Sequence, residues 1–150
     1  MQIFKKQTNV LICGCSKLGA HIANYYCTKG YNVTVLDIKK YSFHKLKDNF
    51  SGVTNHGDAT DIDVLRHNGI EKAEIVVVTT EKDNMNIFIS EIASIIFKVR
   101  KVFIRLNDEG KGALLTSMDN VSILSPFFLC MEKFLEIEKG DSAWMTKLKL

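Results

Sequence analysis

A layered α/β fold, a parallel sheet with helices against both of its faces, is predicted by three features of this 150-residue sequence. Short apolar runs alternate with amphipathic stretches along the chain, the order that a parallel sheet and its crossover helices require. The first run, Asn9-Val10-Leu11-Ile12-Cys13, is apolar at consecutive rather than alternate positions, so both of its faces need cover. A glycine-bearing segment, Gly14 to Gly19, follows it directly and leads into a helical pattern.

Each element can be justified in turn. Asn9 to Cys13 is the first strand, and Leu18 to Lys29 is a helix closed by Gly30. Asn32 to Leu36 is the second strand, Tyr41 to Phe50 a weaker helix, and Val53 to His56 a short third strand. Ala59 to His67 reads as a helix that ends at Gly69, with Asp58 placed to cap it, and Glu74 to Thr79 as the fourth strand. Asp83 to Lys98 is the longest predicted helix, followed by a strand over Val102 to Arg105 and a short helix or turn over Gly110 to Ser117. Val121 to Leu124 closes the sheet. Ser125-Pro126 then starts a last helix to Glu138, because serine caps the first N–H groups and proline has none to lose at the first helical position. The sum is a Rossmann-type, doubly wound, parallel six-stranded sheet over residues 1–138, with 139–150 as a tail or truncated linker.

The bulk composition narrows the function. With 46% hydrophobic and 25% charged residues, the chain supports one globular domain, not a disordered segment. A net charge of +3, with basic residues mostly neighboured by acids, offers no basic stripe, so nucleic acid is not an expected partner. No apolar run approaches the roughly 18 residues that span a bilayer, and the N-terminus has no signal-like stretch, so a cytoplasmic location without direct membrane insertion is expected. Cys13, Cys15, Cys27 and Cys130 lack paired spacing and read as reduced, the first two as small apolar filler. His21, His44, His56 and His67 are scattered, without triad or metal spacing.

Chemistry concentrates after the first strand. Gly14-Cys15-Ser16-Lys17-Leu18-Gly19 nearly matches G-x-G-x-x-G between a strand and a helix, where free N–H groups face an incoming phosphate. Gly14 permits the tight turn, and Gly19 lets the helix approach the sheet. Ser16 replaces the middle glycine, bringing a Cβ that crowds a pyrophosphate and a hydroxyl that offers a donor. Lys17 can reach phosphates. Asp37, at the end of the second strand, can accept hydrogen bonds from both hydroxyls of an adenosine ribose. Its charge favours NAD or an adenosine phosphate over NADP, although Lys39 and Lys40 beside it keep NADP open.

Several motifs in order resemble one family: Cys13 to Gly19, Val35-Leu36-Asp37, Gly57-Asp58-Ala59-Thr60, Leu65 to Ile70, Ala73 to Thr80, the helix bearing Asn84, Val102 to Asn107 and Ser125-Pro126. They are similar to the RCK, or TrkA-N, domains, the N-terminal nucleotide-binding domains of Trk/Ktr-type potassium-uptake regulators. The resemblance implies a cytoplasmic regulatory ring of paired domains that binds NAD(H) or ATP, ADP or AMP. Such a ring would lie at the inner face of the membrane and gate a potassium-transport subunit there. It also implies that Ile38 and Lys39 flank the ribose carboxylate, that the adenine lies beside Gly57, Asp58 and Ala59, and that Thr79, Thr80, Glu81, Asn84 and Arg105 border the cleft. Members often have glycine where Ser16 stands and arginine where Lys17 stands, and usually carry a second regulatory domain.

Two helices look made for a partner. Met85, Ile87, Phe88, Ile89, Ile92, Ala93, Ile95, Ile96 and Phe97 spread beyond the stripe of about 100° that one core face needs, and Phe127, Phe128, Leu129, Met131, Phe134, Leu135 and Ile137 do the same. Both read as subunit interfaces of a homodimer or larger ring, with Trp144 in the tail either capping that interface or disordered. Against enzymatic function stands the lack of room for a substrate domain; Tyr25-x-x-x-Lys29 and Tyr41-x-x-x-Lys45 have dehydrogenase spacing but fall on early elements. A small NAD-dependent oxidoreductase and a scaffold with a decayed nucleotide site are the alternatives.

Overall fold

The computed structural model describes residues 6–140, so Trp144 lies outside the described residues. Six parallel strands form one sheet in the order β3-β2-β1-β4-β5-β6. They are β1 (Asn9–Cys13), β2 (Asn32–Asp37), β3 (Val53–His56), β4 (Ile75–Val78), β5 (Lys101–Arg105) and β6 (Val121–Leu124). Four α-helices accompany them: α1 (Lys17–Thr28), α2 (Ile62–His67), α3 (Asp83–Glu91) and α4 (Pro126–Glu138).

The apolar run of β1 explains the layering. Val10 and Ile12 enter one core with Ala20 and Ala23 of α1 and with Val33 and Val35 of β2. Leu11 and Cys13 enter the opposite core with Leu65 of α2 and with Ile89, Ile92 and Ala93. Strand residues point alternately to the two faces, so a strand covered on both must be apolar throughout. Strand order reverses at β1, which pairs with β2 on one side and β4 on the other. That reversal opens a crevice at the carboxyl ends of these strands.

Three helices differ from expectation. The segment expected to be helical over 41–50 makes only a 3-10 stretch, Lys40–Lys45, because only Phe43, Leu46 and Phe50 of it reach the core. Helix α2 begins at Ile62 and is capped by Asp61, which accepts from the N–H groups of Asp63 and Val64. The cap expected of Asp58 is therefore corrected: its carboxylate accepts from the N–H and hydroxyl of Thr60 in the preceding turn. The long helix expected to Lys98 passes from α3 into a π-helical turn, Ile92–Ile96, and Lys98 follows at φ 52°. The widened turn buries Ile92, Ala93 and Ser94 and leaves Ile95 and Ile96 exposed. At the other end of the chain, Ser125 accepts from the N–H of Phe128 and Pro126 opens α4, as the sequence predicts. No helix among the described residues is long and apolar enough to cross a membrane.

Candidate functional site

The loop after β1 is held from three directions. The N–H of Gly14 donates to the Leu36 carbonyl at 2.8 Å, and the Thr79 hydroxyl donates to the Gly14 carbonyl at 2.8 Å. The Asp37 carboxylate accepts from the N–H of Cys15 at 2.7 Å and, with its other oxygen, from the N–H of Lys39 at 2.7 Å. Gly14 has φ 102°, and a Cβ there would meet the Thr80 nitrogen at 2.6 Å. A Cβ at Gly19 would meet the Gly14 carbonyl oxygen at 2.2 Å. Gly14 is thus required by its positive φ as well as by close backbone approach, and Gly19 by close approach alone.

Ser16 caps α1, its hydroxyl accepting from the N–H of Gly19 at 3.1 Å. The N–H groups of Ser16, Lys17 and Leu18 have no acceptor among the described residues. They stand at the positive end of a 12-residue helix, the arrangement that binds phosphate or carboxylate.

Ser16 and Lys17 at this helix start line a cleft of about 460 Å³. Gly14, Cys15, Ser16 and Lys17 line it from the loop, and Asp37, Ile38 and Lys39 from the end of β2. Gly57, Asp58 and Ala59 line it after β3, and Thr79, Thr80, Glu81 and Arg105 after β4 and β5. The sequence-predicted residues therefore converge, with three exceptions. Leu18 and Gly19 do not line the cleft, Leu18 offering only its backbone N–H at the start of α1, and the Asn84 side chain is engaged by Lys111 at 2.9 Å.

Sequence reasoning missed Lys45, Asn86, Lys82, Met85, Leu36 and Ser42. Lys45 reaches back from the 3-10 stretch to the Cys15 carbonyl at 3.3 Å, bringing a second ammonium to the loop. Asn86 is fully buried; it accepts from the Thr80 N–H at 3.0 Å and donates to the carbonyls of Thr80 and Arg105. It thereby ties the ends of β4 and β5 together. The Asp83-Asn84-Met85-Asn86 repeat offered both asparagines, and only helix register separates the buried one from the exposed one.

Charge in the cleft is patterned. Lys39 pairs with Glu81 at 3.2 Å across the mouth, and that hydrogen bond and charge, with the charges of Lys45 and Arg105, hold the Glu81 carboxyl below its usual range. Arg105 donates from its Nη2 to the Thr80 carbonyl at 2.8 Å. Its Nε is enclosed without a partner, an arrangement that costs about 1–3 kcal/mol. Burial pushes the Cys13 thiol up to about 12; for Cys15, burial and then the Asp37 charge raise it to about 11. Neither thiol is a nucleophile near neutral pH. Each histidine ring has a nitrogen within hydrogen-bonding distance of a nearby backbone carbonyl, Lys17 for His21, Tyr41 for His44, Ile38 for His56 and Asp63 for His67.

The family model of the TrkA-N domain matches residues 10–126. This chain belongs to the TrkA-N domain family. The matched region includes all six strands except the first residue of β1, and all of the loop and cleft. A Trk system potassium uptake protein TrkA of Streptomyces coelicolor is 33% identical over 100 residues, which cover 67% of this chain and 45% of that protein. The TrkA-N domain of the inner membrane protein ybaL from Escherichia coli superposes with a TM-score of 0.76 at 13% identity, covering 89% of this chain and 98% of that one. The GsuK channel bound to NAD gives a TM-score of 0.76 at 21% identity, over 95% of this chain and 25% of that one. The TrkA-N chain spans about half the length of its Streptomyces and Pyrococcus Trk-system relatives.

Proposed function

We propose that this TrkA-N domain is a ligand sensor: it binds an adenine nucleotide, NAD(H) or ATP, ADP or AMP, without turning it over. The bound state then passes through paired copies to a membrane potassium-transport partner on the cytoplasmic side. The ribose is held by Asp37, the adenine lies beside Gly57, Asp58 and Ala59, and the first phosphate sits on the amides of Ser16, Lys17 and Leu18 with Lys17 above them. Thr79 acts from behind as a clamp on Gly14. The single observation that carries this reading is the Asp37 carboxylate fixed to the Cys15 N–H beside three unpartnered amides.

Support for assembly comes from α4, in which no residue is buried, and from Phe88, Ile95 and Ile96 exposed on the α3 side. Apolar surface of that extent marks a partner site. The named ligand of the GsuK channel and the potassium systems of the relatives support the ligand class and the partner.

Calorimetry with NAD, NADH, ATP, ADP and AMP tests the proposal. At least one binds, and Asp37→Ala weakens it by about 1–3 kcal/mol, while Asp37→Asn, which keeps the shape, loses less. No binding by any of the five overturns it. Cofactor oxidation followed spectrophotometrically stays at background; sustained turnover would point to an oxidoreductase instead.

A further inference from the structure

We propose that Arg105 reads the second phosphate of the ligand, making the cleft selective for adenosine 5′-diphosphates, free or extended at that phosphate, over the monophosphate. This rests on the nucleotide reading above and adds a selectivity that the loop and Asp37 do not supply.

Sheet geometry sets the direction of the ligand. Asp37 and Arg105 stand at the carboxyl ends of β2 and β5, with β1 and β4 between them. Three interstrand steps of roughly 4.8 Å set those ends on the order of 14 Å apart. A nucleotide with its ribose at Asp37 and its first phosphate on the amides after β1 directs its next phosphate along this edge toward β4 and β5. A monophosphate stops at the loop.

The state of Arg105 itself is the second observation. Among the described residues its guanidinium has one acceptor, the Thr80 carbonyl at 2.8 Å, although five N–H groups are available. The Nε is enclosed and unpartnered. None of the carboxylates of Glu81, Asp83, Asp108 and Glu109 is hydrogen-bonded to Arg105. Glu81 takes Lys39, Glu109 takes the Ser125 hydroxyl, Asp108 takes the Gly110 N–H, and Asp83 takes the N–H groups of Asn107 and Asp108. What remains is a cation on the cleft wall that makes no ion pair within 4 Å among the described residues, feels the Glu81 charge only at longer range, and is held in place by a backbone carbonyl. Two oxygens of a phosphate match the fork of a guanidinium, and a small swing toward them gives the orphaned Nε an acceptor.

Calorimetry of the wild-type chain and of Arg105→Met and Arg105→Lys with AMP, ADP and NAD decides it. The wild type binds ADP at least tenfold more tightly than AMP. Arg105→Met brings the ratio of ADP to AMP affinity toward one, and Arg105→Lys, which keeps the charge but loses the fork, leaves it in between. Should Arg105→Met fail to fold, a partial fall of the ratio in Arg105→Lys supports the assignment in its place. Equal affinities for AMP and ADP in the wild type, or a preference that survives both substitutions, overturns the assignment while leaving the nucleotide reading standing. Failure of all three nucleotides to bind removes that reading, and the role of Arg105 with it.

Discussion

Around Gly14, backbone, hydroxyl and carboxylate groups from the end of β2 and from the residues just after β1 and β4 are tied to one another at 2.7 to 2.8 Å, and three amides at the start of α1 are left without an acceptor among the described residues. In α4, by contrast, Phe127 is 66% exposed and Phe134 56%, and the helix buries none of its 13 residues. The first region leaves only hydrogen-bond donors unsatisfied. The second is incomplete on the scale of a whole apolar face. One chain thus presents two kinds of unsatisfied surface, and sequence substitutions at each should fail in different ways.

The sharpest break is Gly19→Ala. The added methyl lies 2.2 Å from the Gly14 carbonyl oxygen and 2.5 Å from the Thr79 hydroxyl, neither of which can retreat without undoing the loop. We expect a loss of at least about 3 kcal/mol in urea unfolding, together with loss of nucleotide binding. A stable Gly19→Ala protein with unchanged affinity would show that the loop is not the rigid half of the comparison.

Alkaline pH probes the same region. An unfolded thiol ionises near about 8.5, whereas Cys15 and Cys13 resist until about 11 and about 12. Above the unfolded value the unfolded chain binds fewer protons than the native one, so stability falls as pH rises through this window. Below it the contribution is fully present. Each thiol costs about 1.4 kcal/mol per pH unit above the unfolded value, so about 2 kcal/mol per thiol is lost by pH 10. Urea unfolding at pH 7.5 to 10 checks this, and Cys15→Ala should flatten the slope; an unchanged slope in the variant would place that thiol's titration outside folding.

How much of this was legible in advance follows from the range of the forces involved. The strands, the glycine loop, Asp37 and the Ser125-Pro126 start were readable because each is dictated by neighbours in sequence: apolar runs, turn geometry and capping. Asp61 was not separable from Asp58, since both precede the apolar positions of α2 and only the Thr60 turn decides between them. Lys45 lies 30 residues from the carbonyl it reaches, and Asn86 joins two strand ends, so both depend on tertiary placement. The π turn at Ile92 has the same origin: the sequence is helical, and the widened turn is what lets Ser94 reach Asn120 at 2.6 Å.

A gentler test is Thr79→Val, which keeps the shape of a fully buried side chain while removing its hydrogen bond to the Gly14 carbonyl. The expected cost is about 1–2 kcal/mol in urea unfolding, with a weaker nucleotide affinity in calorimetry because the amides lose their fixed aim. Unchanged affinity at reduced stability would assign Thr79 to folding alone.

The smallest expected change in stability is also the most informative about α4. Replacing an aromatic ring by a carboxylate is normally among the harsher substitutions, yet Phe134 touches no core cluster of its own domain and is 56% exposed. Phe134→Asp should therefore alter the unfolding free energy of the isolated subunit by no more than about 0.5 kcal/mol. Sedimentation velocity should at the same time show a shift toward monomer, since a charge placed in an apolar interface is not compensated there. A single methyl at Gly19 would then cost the fold more than an entire phenyl ring at 134, because the former invades space the chain has already filled and the latter leaves space that a partner fills. If Phe134→Asp instead unfolds the subunit without changing its assembly, the apolar face of α4 serves the domain's own core and the proposed contrast between the two regions collapses.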